Sequence, residues 1–300
     1  MRQMVEGEPQ YRKEGKKMIW KNGAKAAFAL GFDLDGATIW RNKAYNIPGG
    51  EAFIKGVSIG EYGTKVGTLR LLEILKEYNL KATWFIPAEN VMKYPDLVEK
   101  ILNQGHEIGH HDFDHRGEYG NTPDEQIEYI EKCQSIFQKY AGVKAKGFRG
   151  TGFILPETEE WIYSEGGFVY ASCGLSGEEC DWYVANGKKT AAVNIPCRDE
   201  MMDDYMQTVM NSYPQVLVGM PRIAPYRNPY ENWVHEVKGM IRYGGAGSPA
   251  FHPQIAGTPG RAVMFEKFCD YLVNEKDIWC STCIDIAEFF VANNGGETNA

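Results

Sequence analysis

Residues 26–35 read AAFALGFDLD, an apolar run of strand length that ends in two carboxylates. A glycine-rich loop precedes TKVGTLRLLEILKEYNL at 64–80, which has apolar residues near helical spacing at Val66, Leu69, Leu72, Leu75 and Leu80. KATWFIP at 81–87 has the short, β-rich composition of a second buried strand. A strand, a helical connection and another strand are typical of a parallel sheet.

The same alternation continues along the chain. A helix through 96–105 should stop at Gly105, HEIGHH at 106–111 reads as the third strand, and Thr122 and Glu125 form a capping box before another helix. Further strands are predicted at 146–150, 167–173, 192–196, 216–220, 248–253 and 277–282, and further helices near 157–165, 229–243 and 261–275. About seven alternations favour a single α/β domain, a distorted (β/α)7-type barrel, over an open sheet.

Charge and hydropathy limit the partners. The 300 residues carry a net charge of −8, and no basic block is longer than two lysines, which argues against nucleic acid and anionic membranes. A small or neutral substrate is easier to accommodate. Residues 1–23 contain no apolar run of signal-peptide length, and no window approaches 18 apolar residues. We therefore expect a cytoplasmic protein.

The seven cysteines are an odd number without regular spacing, which fits a reducing compartment better than a disulfide framework. Cys280 and Cys283 form a C-x-x-C motif, the pattern of half a zinc site or of a redox pair. No second C-x-x-C motif exists, and the apolar surroundings indicate a strand that runs into a helix. We interpret these two cysteines as structural.

Side chains with acid–base or metal-binding chemistry follow the predicted strands, where parallel α/β folds collect their functional groups. Asp33 and Asp35 end the first strand, and their spacing directs both to one side. Two carboxylates on one face repel each other unless a cation lies beside them. His111 and His115 follow the third strand at the i, i+4 spacing that lets two rings converge in a helical turn. One carboxylate and two imidazoles form a catalytic metal set with open positions.

Four other residues with acid–base or metal-binding side chains lie in or near the predicted strands. His106 and His110 have equal spacing but begin before the strand ends, so we expect them to face the neighbouring helix or the sheet interior. Arg149 ends the fourth strand and His252 ends a late one. Considered singly, each of these groups is a common structural feature. Their joint occurrence with the Asp-x-Asp pair at strand ends favours a functional site.

The order of these residues resembles that of the polysaccharide deacetylase superfamily, the NodB-homology group related to carbohydrate esterase family 4. The resemblance covers roughly 20–290 and is carried by FDLDG at 32–36, SIGEYGTKVGTLRLLEILKEYNLKATWFIP at 58–87, GHEIGHHDFDH at 105–115 and HPQIAGTPGR at 252–261. These segments are most similar to the branch that contains allantoinase-like proteins, cyclic imide hydrolases and a cytoplasmic-type peptidoglycan deacetylase. The resemblance implies a distorted barrel that hydrolyses amide carbon–nitrogen bonds.

The resemblance also implies a role for each site residue. The ligands of a divalent metal ion would be Asp35, His111 and His115. The ligand types favour Zn²⁺ and also suit other divalent ions. Asp33 would be the general base, Arg149 would hold Asp33 ionised and oriented, and the backbone of 150–152 would lie near the developing oxyanion. His252 would protonate the leaving nitrogen.

The chain departs from the family pattern at two places. Leu34 separates the two aspartates, which are adjacent in most polysaccharide-acting members and separated in the allantoinase-like branch. The usual Arg-x-Pro-Tyr loop is RGTGF at 149–153, so the substrate contacts of that loop do not carry over.

Because no export signal is found, we expect a small intracellular substrate such as a cyclic imide, a ureide or an N-acetyl compound. The insertion between Arg41 and Gly63 is long enough to cover the barrel mouth. Similar proteins form homo-oligomers, and we expect one here by analogy. The catalytic barrel should span 20–293, between an extension at 1–19 and a tail at 294–300.

Three other functions are open. A polysaccharide or peptidoglycan N-acetylglucosamine deacetylase would release acetate instead of opening a ring. A non-haem iron oxygenase also uses two histidines and a carboxylate, but the predicted βα alternation is unlike the β-roll that normally holds such a site. A catalytically inactive binding protein would have the same fold, whereas every expected catalytic position is filled here.

Overall fold

The computed structural model describes residues 18–38, 40–41, 54–174, 177–198, 201 and 226–294. The apolar run at 26–35 folds into two consecutive strands, β1 (Ala26–Phe28) and β2 (Leu30–Asp33), in which every residue is buried. Burial on both faces is typical of strands in parallel sheets, because other layers cover each face. This run therefore lies in the centre of the fold.

The other elements alternate along most of the chain. The strands are β3 (Ala82–Ile86), β4 (Glu107–His110), β5 (Gly147–Phe148), β6 (Tyr170–Ala171), β7 (Asp181–Ala185), β8 (Lys188–Asn194), β9 (Gly245–Gly247) and β10 (Ile278–Cys280). The helices are α1 (Ile54–Tyr62), α2 (Thr68–Glu77), α3 (Ala88–Lys93), α4 (Pro95–Asn103), α5 (Pro123–Ala141), α6 (Pro156–Ile162), α7 (Arg227–Tyr243), α8 (Pro253–Ala256), α9 (Pro259–Asn274) and α10 (Cys283–Asn293). A 3₁₀ turn at Lys21–Gly23 precedes β1, and a π-helical turn at Gly63–Gly67 joins α1 to α2.

The described strands form two sheets that close into a distorted barrel. The larger sheet has the order β2-β3-β4-β5-β6-β8-β7 and the smaller has the order β10-β1-β9. Every pairing is parallel except that of β7 with β8. Isolated bridges join Phe32 to Phe251 and Cys197 to Ser248, so the segment after β9 connects the end of β8 to β2. The predicted distorted α/β barrel is confirmed.

Side chains of the first two strands alternate between two layers. The even-numbered residues of 26–34 belong to the larger hydrophobic cluster, where Phe32 packs against Phe265 of α9 with ring centroids 5.6 Å apart. Ala27 and Ala29 belong to a smaller cluster with Phe85 and Tyr170. Phe85 and Tyr170 come from strands that are not neighbours, and their rings meet at 6.5 Å across the barrel. Odd-numbered side chains of this run therefore face the inside of the barrel.

Helix α5 begins as the sequence predicts. The Thr122 hydroxyl accepts a hydrogen bond from the Glu125 N–H, and the Glu125 carboxylate accepts one from the Thr122 N–H. These two bonds satisfy N–H groups that have no partner within the helix, so the capping box is confirmed. Gly105 follows α4 with a φ of +76°, also as predicted for a helix end.

Two predictions about local structure are wrong. Val66 and Leu69 of the predicted helical face are 38% and 36% exposed, whereas Leu72, Leu75 and Leu80 of that face are buried as expected. The segment 248–253 contributes only isolated bridges and is not a continuous strand.

Some predicted segments lie wholly or partly outside the described residues. The predicted strand at 216–220 lies outside them, as do positions 42–53 of the insertion, whereas Ile54–Tyr62 of the insertion is helical. Cys280 ends β10 and Cys283 begins α10, which is the predicted strand running into a helix. In the part of the chain that the structure covers, no helix is long and apolar enough to cross a membrane.

Candidate active site

Asp33 and Asp35 lie at the carboxyl end of β2. Asp33 is its last residue and Asp35 follows in the loop, with 6% and 0% of their surfaces exposed. Leu34 between them is buried in the larger hydrophobic cluster, and its carbonyl accepts a 2.8 Å hydrogen bond from Asn90 Nδ2. Leu34 is therefore held on the helix side of the sheet, which directs the two carboxylates into the barrel.

His111 and His115 reach Asp35 from the loop that follows β4. Their Nε2 atoms lie 3.4 Å and 3.8 Å from Asp35 Oδ1. The spacing predicts convergence through a helical turn, but the loop is not helical: Asp112 and His115 have φ values of +63° and +62°. These left-handed residues turn the chain so that the two imidazole centroids are 5.0 Å apart.

Asp35, His111 and His115 could hold a metal ion. One ligand atom from each residue lies within 4.8 Å of the others. Both carboxylate oxygens of Asp35 and Nε2 of His111 are buried without a hydrogen-bond partner among the described residues. Leaving such atoms unpaired is costly, and a cation would satisfy all three. His111 Nδ1 lies 2.7 Å from the carbonyl oxygen of Arg149, a contact that orients the ring with Nε2 toward Asp35.

The electrostatics of this cluster favour a positive charge. Burial raises the pKa of Asp35, but the neighbouring His115, His111 and His252 outweigh burial and lower it to about 2. Burial lowers the pKa of His111, but Asp33 and Asp35 outweigh burial and raise it to about 9. Both shifts indicate that the site attracts positive charge. A bound cation would take the place of the His111 proton, because histidine binds metal ions in its neutral form.

Arg149 lies beside Asp33 inside the barrel. Its Nη1 is 2.7 Å from Asp33 Oδ1, its Nε donates to the carbonyl of Ser172, and its Nη2 donates to the hydroxyls of Ser172 and Ser248. The guanidinium also lies over the Phe85 ring, 3.9 Å from its centroid. Burial alone would lower the pKa of Arg149, but the charge of Asp33 raises it. Arg149 is thus a fixed cation facing Asp33.

His252 lies near the other carboxylate oxygen of Asp35. Its Nε2 lies 3.8 Å from Asp35 Oδ2, and 5% of the residue is exposed. Its carbonyl accepts the N–H groups of Ile255 and Ala256, both at 2.8 Å, so the start of α8 fixes its backbone. The structure therefore brings His252 to the same carboxylate as His111 and His115.

Other residues singled out in the sequence lie outside this cluster or have different contacts. His110 stacks on Phe148 with centroids 4.8 Å apart, and His106 Nδ1 accepts the Ala82 N–H at 3.2 Å. The backbone of 150–152 was expected near the developing oxyanion. The Thr151 N–H of this segment instead donates to Asp112 Oδ2 at 2.8 Å. No sequence motif pointed to Ser172 or Ser248, which hold Arg149.

Comparison with known sequences places the site in a family. The profile of the family described as polysaccharide deacetylase matches residues 61–170. A peptidoglycan deacetylase of Helicobacter pylori is 22% identical over 290 residues, 89% of this chain and 96% of that protein. A peptidoglycan-N-acetylglucosamine deacetylase of Bacillus cereus is 31% identical over 202 residues, 66% of this chain and 92% of that protein.

Solved structures agree with this assignment. A putative polysaccharide deacetylase from Mycobacterium smegmatis is 26% identical with a TM-score of 0.78, covering 93% of this chain and 94% of that one. An allantoinase that is 20% identical has a TM-score of 0.76 over 95% and 96% of the two chains, a likeness of fold. The protein is thus a hydrolase of carbon–nitrogen bonds other than peptide bonds. Identity and coverage together show that the chain belongs to the polysaccharide deacetylase family.

Proposed function

We propose that the protein removes the acetyl group from N-acetylglucosamine residues of a peptidoglycan-type polysaccharide. The observation that carries the proposal is the arrangement around Asp35, with His111 and His115 on one oxygen and His252 on the other, beside the Asp33–Arg149 pair. The sequence alone favours a small intracellular amide and leaves the polysaccharide as the alternative. The two relatives described above, whose names specify peptidoglycan, support the alternative.

A divalent cation held by Asp35, His111 and His115 is part of the proposal. Zn²⁺ suits this combination of imidazole and carboxylate ligands, and three protein ligands are typical of catalytic zinc sites. When bound, the ion would polarise the substrate carbonyl and make a water molecule more acidic. The unpaired oxygens of Asp35 and Nε2 of His111 are the atoms that fit this role.

Asp33 is the proposed general base. Arg149 holds its Oδ1 at 2.7 Å, while its Oδ2 lies 3.9 Å from His111 Nε2, on the side of the proposed metal ligands. Oδ2 is therefore placed to take the proton from the water that attacks the acetyl carbon. Arg149 stays protonated throughout, since a guanidinium has no basic lone pair to offer, and so it orients Asp33 without exchanging protons.

His252 is the proposed general acid. The carbon–nitrogen bond breaks readily only when the nitrogen gains a proton, because an amide anion is a poor leaving group. The Nε2–H of His252, 3.8 Å from Asp35 Oδ2, would supply that proton. One water is consumed: its oxygen joins the acetyl carbon as a hydroxyl, Asp33 takes one proton, and His252 protonates the nitrogen as the carbon–nitrogen bond breaks. The products are the free amine of glucosamine and acetic acid, which loses its proton to solvent. Asp33 then releases its proton to solvent and His252 takes one up.

Acetate release from defined substrates tests the proposal. Protein of measured zinc content is incubated with chitooligosaccharides and with soluble peptidoglycan fragments, and in parallel with hydantoin, succinimide and allantoin. We expect acetate from the saccharides and no ring opening. Asp33→Asn is the inactive control, and Asp124→Asn, at an exposed carboxylate in the first turn of α5, is the matched active control. Ring opening without acetate release would contradict the proposal and support the small-amide expectation.

A further inference from the structure

Asp112 is a buried carboxylate between His111 and His115, and its contacts cross to another loop. It is 0% exposed. Its Oδ1 accepts a hydrogen bond from the Tyr119 hydroxyl, and its Oδ2 accepts the Thr151 hydroxyl and, at 2.8 Å, the Thr151 N–H. We call 111–119 the histidine loop and 149–153 the arginine loop. Asp112 therefore joins these two loops through its side chain.

The backbone of Asp112 lies in the left-handed region, with a φ of +63°. This conformation is unfavourable for residues with a side chain, although Asp and Asn tolerate it better than most. The Asp112 N–H faces His110 Nδ1 at 3.2 Å, and its carbonyl accepts the Ala88 N–H at 2.8 Å. Glycine would make the same turn with less strain. The turn itself therefore does not require an aspartate, whereas the side-chain contacts of Asp112 do.

The two loops also pack directly against each other. A Cβ added to Gly152 would lie 2.3 Å from the Cα of Gly117, so the backbones are in contact there. On the other side of Asp112, the His111 Nδ1 atom lies 2.7 Å from the carbonyl oxygen of Arg149. Consecutive residues of the histidine loop thus hold the carbonyl of Arg149 and the N–H of Thr151. A shift of either loop would move His111 and Arg149 together.

We propose that Asp112 is a positioning residue that sets the affinity of the Asp35 site for a divalent cation by fixing the histidine loop to the arginine loop. This inference rests on the proposed function, because it takes the cation as part of the site. Asp112 would touch neither the cation nor the substrate. It acts through His111 and Arg149, which the two loops carry.

Three variants separate the side-chain contacts from the backbone conformation. Asp112→Gly removes the carboxylate and relaxes the backbone, whereas Asp112→Asn keeps an acceptor oxygen for Thr151 and tolerates the same φ. Asn79→Gly is the matched control, since Asn79 has a φ of +51° just after α2. In chelator-competition titrations with Zn²⁺, we expect about 10–100-fold weaker binding for Asp112→Gly, as for other residues that orient metal ligands. Asp112→Asn and Asn79→Gly should bind like the wild type.

Amide hydrogen exchange of the arginine loop gives a second readout that needs no cation. We expect faster exchange in Asp112→Gly than in the wild type or Asn79→Gly, because the Thr151 N–H loses its 2.8 Å carboxylate acceptor and keeps only the Tyr119 hydroxyl at 3.2 Å. Wild-type zinc affinity in Asp112→Gly would overturn the inference, as would a wild type that binds no Zn²⁺. Wild-type exchange in Asp112→Gly would also overturn it, because the arginine loop would then not depend on Asp112. Absence of acetate release by the wild type would count against the proposed function and leave both readouts usable.

Discussion

The guanidinium of Arg149 lies against the carboxylate of Asp33, with Nη1 2.7 Å from Oδ1 and both side chains buried. Ser172 and Ser248 accept hydrogen bonds from the other side of the guanidinium, so the pair has a defined orientation. A buried ion pair is weak grounds for stability, because desolvation offsets much of its Coulomb energy. Its place beside Asp35 agrees with the proposed role of Asp33 as the base.

Asp33→Asn tests this role. We expect kcat to fall by about 10²–10⁴, because a carboxamide cannot take up the proton. The zinc content should stay at the wild-type level, since Asp33 is not among the three proposed ligands. Acetate release and elemental analysis of the same preparation check both points. Asp35→Asn is the matched variant, in which the zinc content should fall. Loss of zinc in Asp33→Asn would mean that base and ligand are assigned the wrong way round.

His111→Ala and His115→Ala each remove one proposed metal ligand. Loss of a residue that only orients a ligand costs about 10–100-fold in affinity, so loss of a ligand should cost about 100-fold or more. Zinc titration measures this, with His235→Ala, at an exposed position on α7, as the control. Chelation of the wild type should also abolish acetate release, and added Zn²⁺ should restore it. Full activity of the metal-free protein would contradict the metal site.

His252→Ala should slow hydrolysis by about 10²–10⁴, because the leaving nitrogen would depart without its proton donor. The loss should be smallest for substrates whose nitrogen leaves easily. Comparing a chitooligosaccharide with a nitro-substituted acetanilide measures this difference. An equal loss for both substrates would argue that His252 has another task at Asp35, such as holding the carboxylate in place.

The alternation of side chains along a strand made the orientation of Asp33 and Asp35 predictable. The odd-numbered residues of 26–35 share one face, and Ala27 and Ala29 fill the barrel while Asp33 and Asp35 follow them at its end. Arg149 and His252 were predictable as site residues because each follows a predicted strand. Periodicity is visible in the sequence because it depends only on neighbouring residues.

Features that depend on tertiary contacts were not predictable in the same way. The convergence of His111 and His115 uses left-handed residues held by other loops, which no spacing rule encodes. Strand β7 and its hairpin with β8 were missed, although Asn186 and Gly187, with φ values of +47° and +73°, are a hairpin signal. Ser172 and Ser248 gave no signal at all, because a hydroxyl acquires its role only from the guanidinium placed beside it.

His106 should make the protein less stable in mild acid. Burial, with a smaller effect of Lys81, lowers the pKa of His106 to about 4. Because the folded-state pKa is below the unfolded value, stability is present above pH 6.5 and is lost as the pH falls toward 4. We expect His106 alone to account for a loss of about 2–3 kcal/mol in the free energy of unfolding by pH 4.

His106→Asn checks this effect. The Asn side-chain oxygen can still accept the Ala82 N–H that His106 Nδ1 accepts at 3.2 Å, but it takes up no proton in this range. Urea unfolding between pH 7 and 4 should therefore show a shallower pH dependence than in the wild type. The exposed His235→Asn is the control, which should follow the wild type. An unchanged slope in His106→Asn would refute the assignment.

Gly31→Ala should open the barrel where β2 meets the segment after β9. An added Cβ would lie 2.2 Å from Ser248 Oγ and 2.4 Å from the Pro249 carbonyl oxygen, and 3.3 Å from Arg149 Nη1. Since backbone must move, we expect a loss of about 3 kcal/mol in the free energy of unfolding, measured by urea titration. Gly239→Ala on α7, where a Cβ meets nothing within 4 Å, should stabilise slightly. Equal stability of both variants would show that β2 does not close the barrel as tightly as these contacts require.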